Sequence, residues 1–115
     1  MEDLVKKTGL NERVIVEILN IVKQNEKYKF YIFGSRAKGK YKDTSDIDIA
    51  IFENVANEDK FKIMNEFDKL DIIYKIDLVF VKNDTKKQLL ESIQRNRIKL
   101  EGFWWKRDGC KEKRI

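Results

Sequence analysis

The sequence predicts an α+β fold, a small mixed β-sheet with helices packed mainly on one face. Two observations predict this class. Short apolar runs typical of strands alternate along the chain with longer segments whose apolar residues recur at helical spacing. The 115 residues contain no repeat, low-complexity stretch or internal linker, and this length fits one domain with one core.

The first half of the chain predicts one helix followed by two strands. Asn11 is a residue type that favours the position before a helix. The apolar residues after it recur at helical spacing and are expected to pack on the sheet: Val14, Ile15, Ile18, Leu19 and Val22. Strands are predicted over residues 29–33 and 47–52, where apolar residues dominate.

The second half predicts two helices around a third strand. Asn57 is expected to cap a helix whose apolar face consists of Phe61, Met64, Phe67 and Leu70. A strand is predicted over residues 75–81. Asp84 is expected to cap the last helix, with Leu89, Leu90, Ile93 and Ile98 on its apolar face. A turn at Glu101-Gly102 then leads to Phe103-Trp104-Trp105, which we interpret as a short final strand or a plug of the core.

Composition excludes several classes of protein. Hydrophobic residues make up 42% of the chain and charged residues 39%, and no apolar run approaches the ~20 residues of a membrane span. The start of the chain lacks the basic and then apolar order of a signal peptide, and Cys110 is the only cysteine. We therefore expect a cytoplasmic protein without a disulfide. There is no histidine to serve as a general base or a zinc ligand.

The positive charge is concentrated at the end of the chain. Of the net charge of +5, residues 106–115 carry +3, from five Lys or Arg against Asp108 and Glu112, which leaves +2 for residues 1–105. That remainder is too small to predict a broad nucleic-acid face. We interpret residues 106–115 as a solvated, flexible basic tail that follows a domain over residues 1–105.

One motif predicts a site for nucleotide and metal. The first strand ends at Gly34-Ser35, and after a gap of ten residues Asp46 and Asp48 open the second strand. Side chains alternate along a strand, so Asp46 and Asp48 share a face. Asp77 interrupts the third strand, and if that strand lies beside the second, three carboxylates converge. Such hard oxygen ligands suit Mg²⁺ or Mn²⁺ bridging to phosphates.

With Gly34-Ser35, the gap, Asp46-x-Asp48 and the later Asp77, residues 28–81 resemble the minimal nucleotidyltransferase branch of the polymerase-beta-like nucleotidyltransferase superfamily. The resemblance implies that fold, with ATP as substrate and two Mg²⁺ ions held by Asp46, Asp48 and Asp77. Asp77 would also take the proton of the attacking hydroxyl. Gly34 and Ser35 would bind the phosphates at the start of a helix, with added charge from Arg36 and Lys38.

The same resemblance implies a partner. Minimal nucleotidyltransferases are commonly paired with a small helical HEPN protein, a ribonuclease toxin, and act as antitoxins by transferring AMP to one of its tyrosines. We therefore expect a hetero-oligomer in which the toxin supplies the acceptor hydroxyl. Two alternatives stay open: a homodimeric nucleotidyltransferase acting on small molecules, and a non-catalytic antitoxin that neutralises its partner by binding alone.

Overall fold

The computed structural model describes residues 2–100, and these form a four-stranded sheet with five helices. In chain order the elements are α1 (Glu2–Thr8), α2 (Glu12–Gln24), β1 (Lys29–Phe33), α3 (Ser35–Lys38), β2 (Ile47–Phe52), α4 (Asn57–Asp68), β3 (Ile76–Phe80), α5 (Lys87–Asn96) and β4 (Ile98–Lys99). The predicted turn at Glu101-Gly102, the aromatic trio and the basic tail lie outside the described residues.

The sheet is mixed, as predicted, with the strand order β3-β2-β1-β4. Strand β1 pairs antiparallel with both β2 and β4, whereas β2 pairs parallel with β3. The predicted bounds of β1 and β2 are confirmed, and β3 is one residue shorter at each end than expected. The parallel pairing places the starts of β2 and β3 at the same end of the sheet.

The main core lies between one face of the sheet and helices α1, α2 and α4. Strand residues Phe30, Ile32, Ile47, Ile49 and Ile51 are buried there against the apolar side of α2. Helix α5 covers part of the opposite face, where Ile93 packs with Phe33, Ala50 and Val81. Most of the helical packing is therefore on one face, which confirms the predicted architecture, and the opposite face is left partly open.

The ends of the helices show which caps and starts the local sequence predicts correctly and which it does not. The Asn11 side chain caps α2 by accepting a 3.0 Å hydrogen bond from the backbone N–H of Val14, as predicted. The expected cap by Asn57 is wrong, because Asn57 is the first helical residue and follows Ala56. The expected cap by Asp84 is also wrong, because α5 begins at Lys87. Helix α1 was not predicted.

The apolar face predicted for the helix now seen as α4 is wrong in part. Ile63 and Phe67 are its buried residues, whereas Phe61 is 68% exposed and Met64 45% exposed. The apolar residues of this helix form two overlapping stripes. The stripe that contains Ile63 and Phe67 packs into the core. Ile98 likewise leaves the predicted last helix and begins β4, because Arg97 adopts an extended backbone. No helix within residues 2–100 is long and apolar enough to cross a membrane.

Candidate functional site

The turn after β1 is built around Gly34. Its backbone has φ 76° and ψ −153°, a region that is accessible essentially to glycine alone. Ser35 then begins α3, as predicted, and this single helical turn ends at Gly39, also at positive φ. The turn therefore reverses the chain at the end of β1 and leaves the backbone N–H groups at the start of α3 without helical partners.

Two of the predicted carboxylates are brought together by the register of the sheet. Asp48 in β2 is paired with Asp77 in β3, and on its other side Asp48 is paired with Phe33 at the end of β1. Residues that are directly opposite on adjacent strands project from the same face. The row Phe33, Asp48, Asp77 therefore carries both carboxylates on the face that α5 only partly covers.

Asp46 lies one residue before β2, and its side chain is exposed. The backbone around it is fixed, because the next residue, Ile47, donates a 2.8 Å hydrogen bond to the carbonyl of Lys75. This bond joins the segments that carry Asp46 and Asp77. The structure thus places Asp46, Asp48 and Asp77 at one end of the two parallel strands, as the sequence predicted.

Gly34 is in close contact with one of these carboxylates, that of Asp48. A Cβ atom added at position 34 would overlap Oδ2 of Asp48. The sequence reasoning expected a glycine here so that a phosphate could approach the backbone. The structure adds a second requirement, since the Asp48 carboxylate itself occupies the space that a side chain would fill.

Substitution of Gly34 by alanine should therefore harm both stability and activity. The positive φ and the overlap with Asp48 are each unfavourable, and we expect a loss of about 1–3 kcal/mol in the free energy of unfolding. Nucleotidyl transfer should fall about tenfold or more, because Asp48 must move. Chemical denaturation and a transfer assay on one preparation would measure both effects. Gly39→Ala is a matched control, because it has the same φ of 76° but open space at its Cβ.

The carboxylates repel one another in the absence of a cation. Partial burial raises the pKa of Asp48 above the ordinary carboxyl value, and the charges of Asp77 and Asp46 raise that pKa further. Lys75 offers limited compensation, with its Nζ 3.8 Å from Oδ1 of Asp77 in a pair that is largely exposed. Lys75 was missed by the sequence reasoning, although its position two residues before Asp77 on an extended segment was a usable signal.

The residues present fit a hard divalent cation by their chemistry. Within residues 2–100, no three acidic or sulfur side chains stand close enough together to form a ready-made cage for a metal ion. The carboxylates of Asp46, Asp48 and Asp77 are nevertheless close enough to shift the pKa of Asp48, and all their ligand atoms are oxygens. Oxygen ligands with room for phosphate and water are the usual surroundings of Mg²⁺.

The expectation that Arg36 binds phosphate is wrong. Its side chain is 1% exposed, and the guanidinium donates to backbone carbonyls: Nη1 to Thr8 at 2.8 Å, and Nη2 and Nε to Ser45 at 3.0 and 3.2 Å. Its Cζ also lies over the rings of Tyr41 and Tyr74, at 5.1 and 4.7 Å from their centroids. The planar, many-donor group that suits phosphate is used here to hold the protein's own loops.

Lys38 remains available to a ligand. Its side chain is exposed, and it forms no ion pair with the described residues. Together with Gly34 and Ser35 it stays a predicted nucleotide-binding residue on α3.

Comparison with known protein families gives one match. A family model described as "Polymerase beta, Nucleotidyltransferase" matches residues 16–101, which is most of the chain and includes every predicted site residue. No curated protein matches the sequence at a significant level.

Several solved structures with a similar fold are complexes of toxin and antitoxin. A chain in a variant of the MntA-HpeT toxin–antitoxin is 25% identical, with a TM-score of 0.57 over 86% of this chain and 78% of that chain. A chain in a toxin–antitoxin with AMP-PNP is 23% identical, with a TM-score of 0.57 over 82% and 77%. A third, from the tri-AMPylated Shewanella oneidensis HEPN toxin with its MNT antitoxin, is 21% identical, with a TM-score of 0.52 over 82% and 74%.

Proposed function

Because this chain belongs to the polymerase beta nucleotidyltransferase family, we propose that it transfers AMP from ATP, with magnesium, to a tyrosine hydroxyl of a HEPN ribonuclease toxin. By this transfer it would act as the antitoxin of a cytoplasmic pair. The observation that carries the proposal is the pairing of Asp48 with Asp77 across two parallel strands, next to the Gly34 turn that begins α3.

The roles of the residues follow from their positions. Asp46, Asp48 and Asp77 would hold Mg²⁺, which when bound neutralises phosphate charge and favours ionisation of the attacking hydroxyl. Gly34 and Ser35 present backbone N–H groups and a hydroxyl at the start of α3, where the β- and γ-phosphates would bind. Lys38 adds a positive charge on the same short helix.

The transfer itself exchanges a phosphoanhydride bond of ATP for a phosphodiester bond to the acceptor. The acceptor oxygen forms a bond with the α-phosphorus of ATP, and the bond between that phosphorus and the bridging oxygen to the β-phosphate breaks. Pyrophosphate leaves, and the hydroxyl proton passes to Asp77. Asp77 suits this role because its side chain is only half-buried, at the edge strand of the sheet, where an acceptor from another protein can reach it.

The choice of acceptor is supported by the neighbouring structures. The similar chains occur in complexes with toxins, one complex contains AMP-PNP, and in one the HEPN toxin is tri-AMPylated. Ile73, three residues before β3, is an apolar residue that is 92% exposed, which would suit contact with a partner.

Intact-mass spectrometry tests the proposal. We expect that the protein, mixed with the HEPN protein encoded beside it, ATP and Mg²⁺, will add one or more AMP units to that partner and abolish its ribonuclease activity. Chelation of the metal should prevent both changes. An unmodified partner whose toxicity is still suppressed would favour the antitoxin that acts by contact alone. Modification of small hydroxyl compounds by the protein alone would favour the homodimeric enzyme.

A further inference from the structure

A second cleft lies beside the end of α3. Its volume is about 490 Å³, and three separate parts of the chain form it: α1, the end of α3 with the loop that follows, and the junction between α5 and β4. Its lining consists of Lys6, Lys7, Ala37, Lys38, Gly39, Tyr41, Asn96, Arg97 and Ile98. None of the three site carboxylates belongs to this lining.

The cleft is strongly positive. Lys6, Lys7 and Lys38 contribute three exposed ammonium groups, and the lining contains no Asp or Glu. None of these three lysines forms an ion pair within residues 2–100. Gathering like charges without counter-charges is unfavourable, so the arrangement is best explained by an anionic ligand.

Arg97 lines the cleft, but its guanidinium packs on aromatic rings of the sheet face that carries Phe33 and Asp48. Its guanidinium carbon lies 4.5 Å from the centroid of the Tyr31 ring and 6.0 Å from that of Phe52. The pairing of β4 with β1 sets Ile98 opposite Ile32, which places Arg97 level with Phe33, the residue before Gly34. Among the residues predicted for the nucleotide site, Lys38 alone also lines this cleft.

Size and chemistry restrict the ligand. A cleft of about 490 Å³ lies in the range of ~300–1,000 Å³ typical of small-ligand sites. Open space beside Gly39 leaves room for a ligand group, and Tyr41 and Asn96 offer uncharged hydrogen-bonding groups. The structure assigns this cleft as a second phosphate-binding site, which takes the phosphate groups of a free polyphosphate or of a strand of RNA.

This assignment does not depend on AMP transfer, so it can be tested without it. Fluorescence anisotropy of a labelled oligoadenylate RNA, measured with full-length protein and a metal chelator, reports binding apart from the magnesium site. We expect Lys6→Gln with Lys7→Gln to weaken RNA binding about tenfold and to reduce the slope of log K against log salt by about 1.4. The matched control is Lys62→Gln with Lys69→Gln, which removes two exposed lysines outside the cleft and should change binding less than about twofold.

Residues 106–115 are present in all these variants, so the difference between the pairs measures the cleft alone. Displacement of the RNA by inorganic tripolyphosphate at similar concentrations would identify free polyphosphate as the ligand class. RNA binding that depends on Lys6 and Lys7 but resists tripolyphosphate would identify the strand. Equal losses in the two double variants, or no binding of either probe to the unaltered protein, would overturn the assignment. Transfer to the HEPN partner is measured separately, so failure of one proposal is distinguishable from failure of the other.

Discussion

Replacement of Asp48 by asparagine is expected to leave a folded protein whose magnesium-dependent transfer is slower by a factor of about 100 or more, or ~3 kcal/mol in the activation free energy. Asp48 is the central carboxylate of the site, paired with Asp77 and influenced by the charge of Asp46. Asparagine keeps the shape but removes the charge that would hold the metal. Transfer of AMP under saturating ATP measures the loss.

The same substitution should raise the melting temperature in the absence of metal. Since the pKa of Asp48 is raised in the folded protein, folding favours the protonated form. The ionised carboxylate therefore lowers the free energy of unfolding once the pH exceeds its raised pKa, and asparagine removes that cost. The gain should be present at neutral pH and disappear as the pH falls below the ordinary carboxyl range. Thermal melts with a chelator at several pH values would show this dependence.

Asp43→Asn provides the matched control for both measurements. Asp43 is exposed in the loop before Asp46, outside the row of site carboxylates. This variant should keep its transfer rate and show no comparable rise in melting temperature. Full transfer activity in Asp48→Asn would contradict the assignment of Asp48 to the metal site.

The meeting of Asp48 and Asp77 could be predicted because it depends on simple periodicity. Strand alternation fixes the face of each carboxylate, and both lie near the start of a short apolar strand. The register was not available from sequence, but two strands that begin with a carboxylate and run parallel bring those carboxylates to one end. The Gly34-Ser35 turn was equally local, since the glycine backbone and the beginning of α3 involve neighbouring residues only.

The parts that could not be predicted depend on distant residues. Arg36 contacts the carbonyl of Thr8, 28 positions earlier, and the ring of Tyr74, which precedes β3. Nothing in the sequence around Arg36 indicates that these groups surround it. The basic cleft has the same character, because Lys6, Lys38 and Arg97 come from three distant segments. Net charge alone therefore did not reveal that cations from separate segments line one cleft.

Substitution of Arg36 by methionine should destabilise the protein more than any surface change. Methionine fills a similar space but donates no hydrogen bond, so the carbonyls of Thr8 and Ser45 would lose their buried donor. Each buried carbonyl left without a donor costs ~1–3 kcal/mol, so we expect a loss on the order of 2–6 kcal/mol. The melting temperature should fall by on the order of 10 °C or more. Calorimetry of the purified variant would measure this fall.

Two further variants separate this structural role from a role in binding ATP. Lys38→Met, an exposed cation on the same helix, should change the free energy of unfolding by no more than about 0.5 kcal/mol. Arg36→Lys keeps the charge but cannot reach Thr8 and Ser45 together, so it should melt well below the unaltered protein. If Arg36 instead served phosphate, Arg36→Met would melt like Lys38→Met and lose only its affinity for ATP. Arg36→Lys retains the charge. A large fall in the stability of this variant would therefore be explained only by loss of the hydrogen bonds to backbone carbonyls.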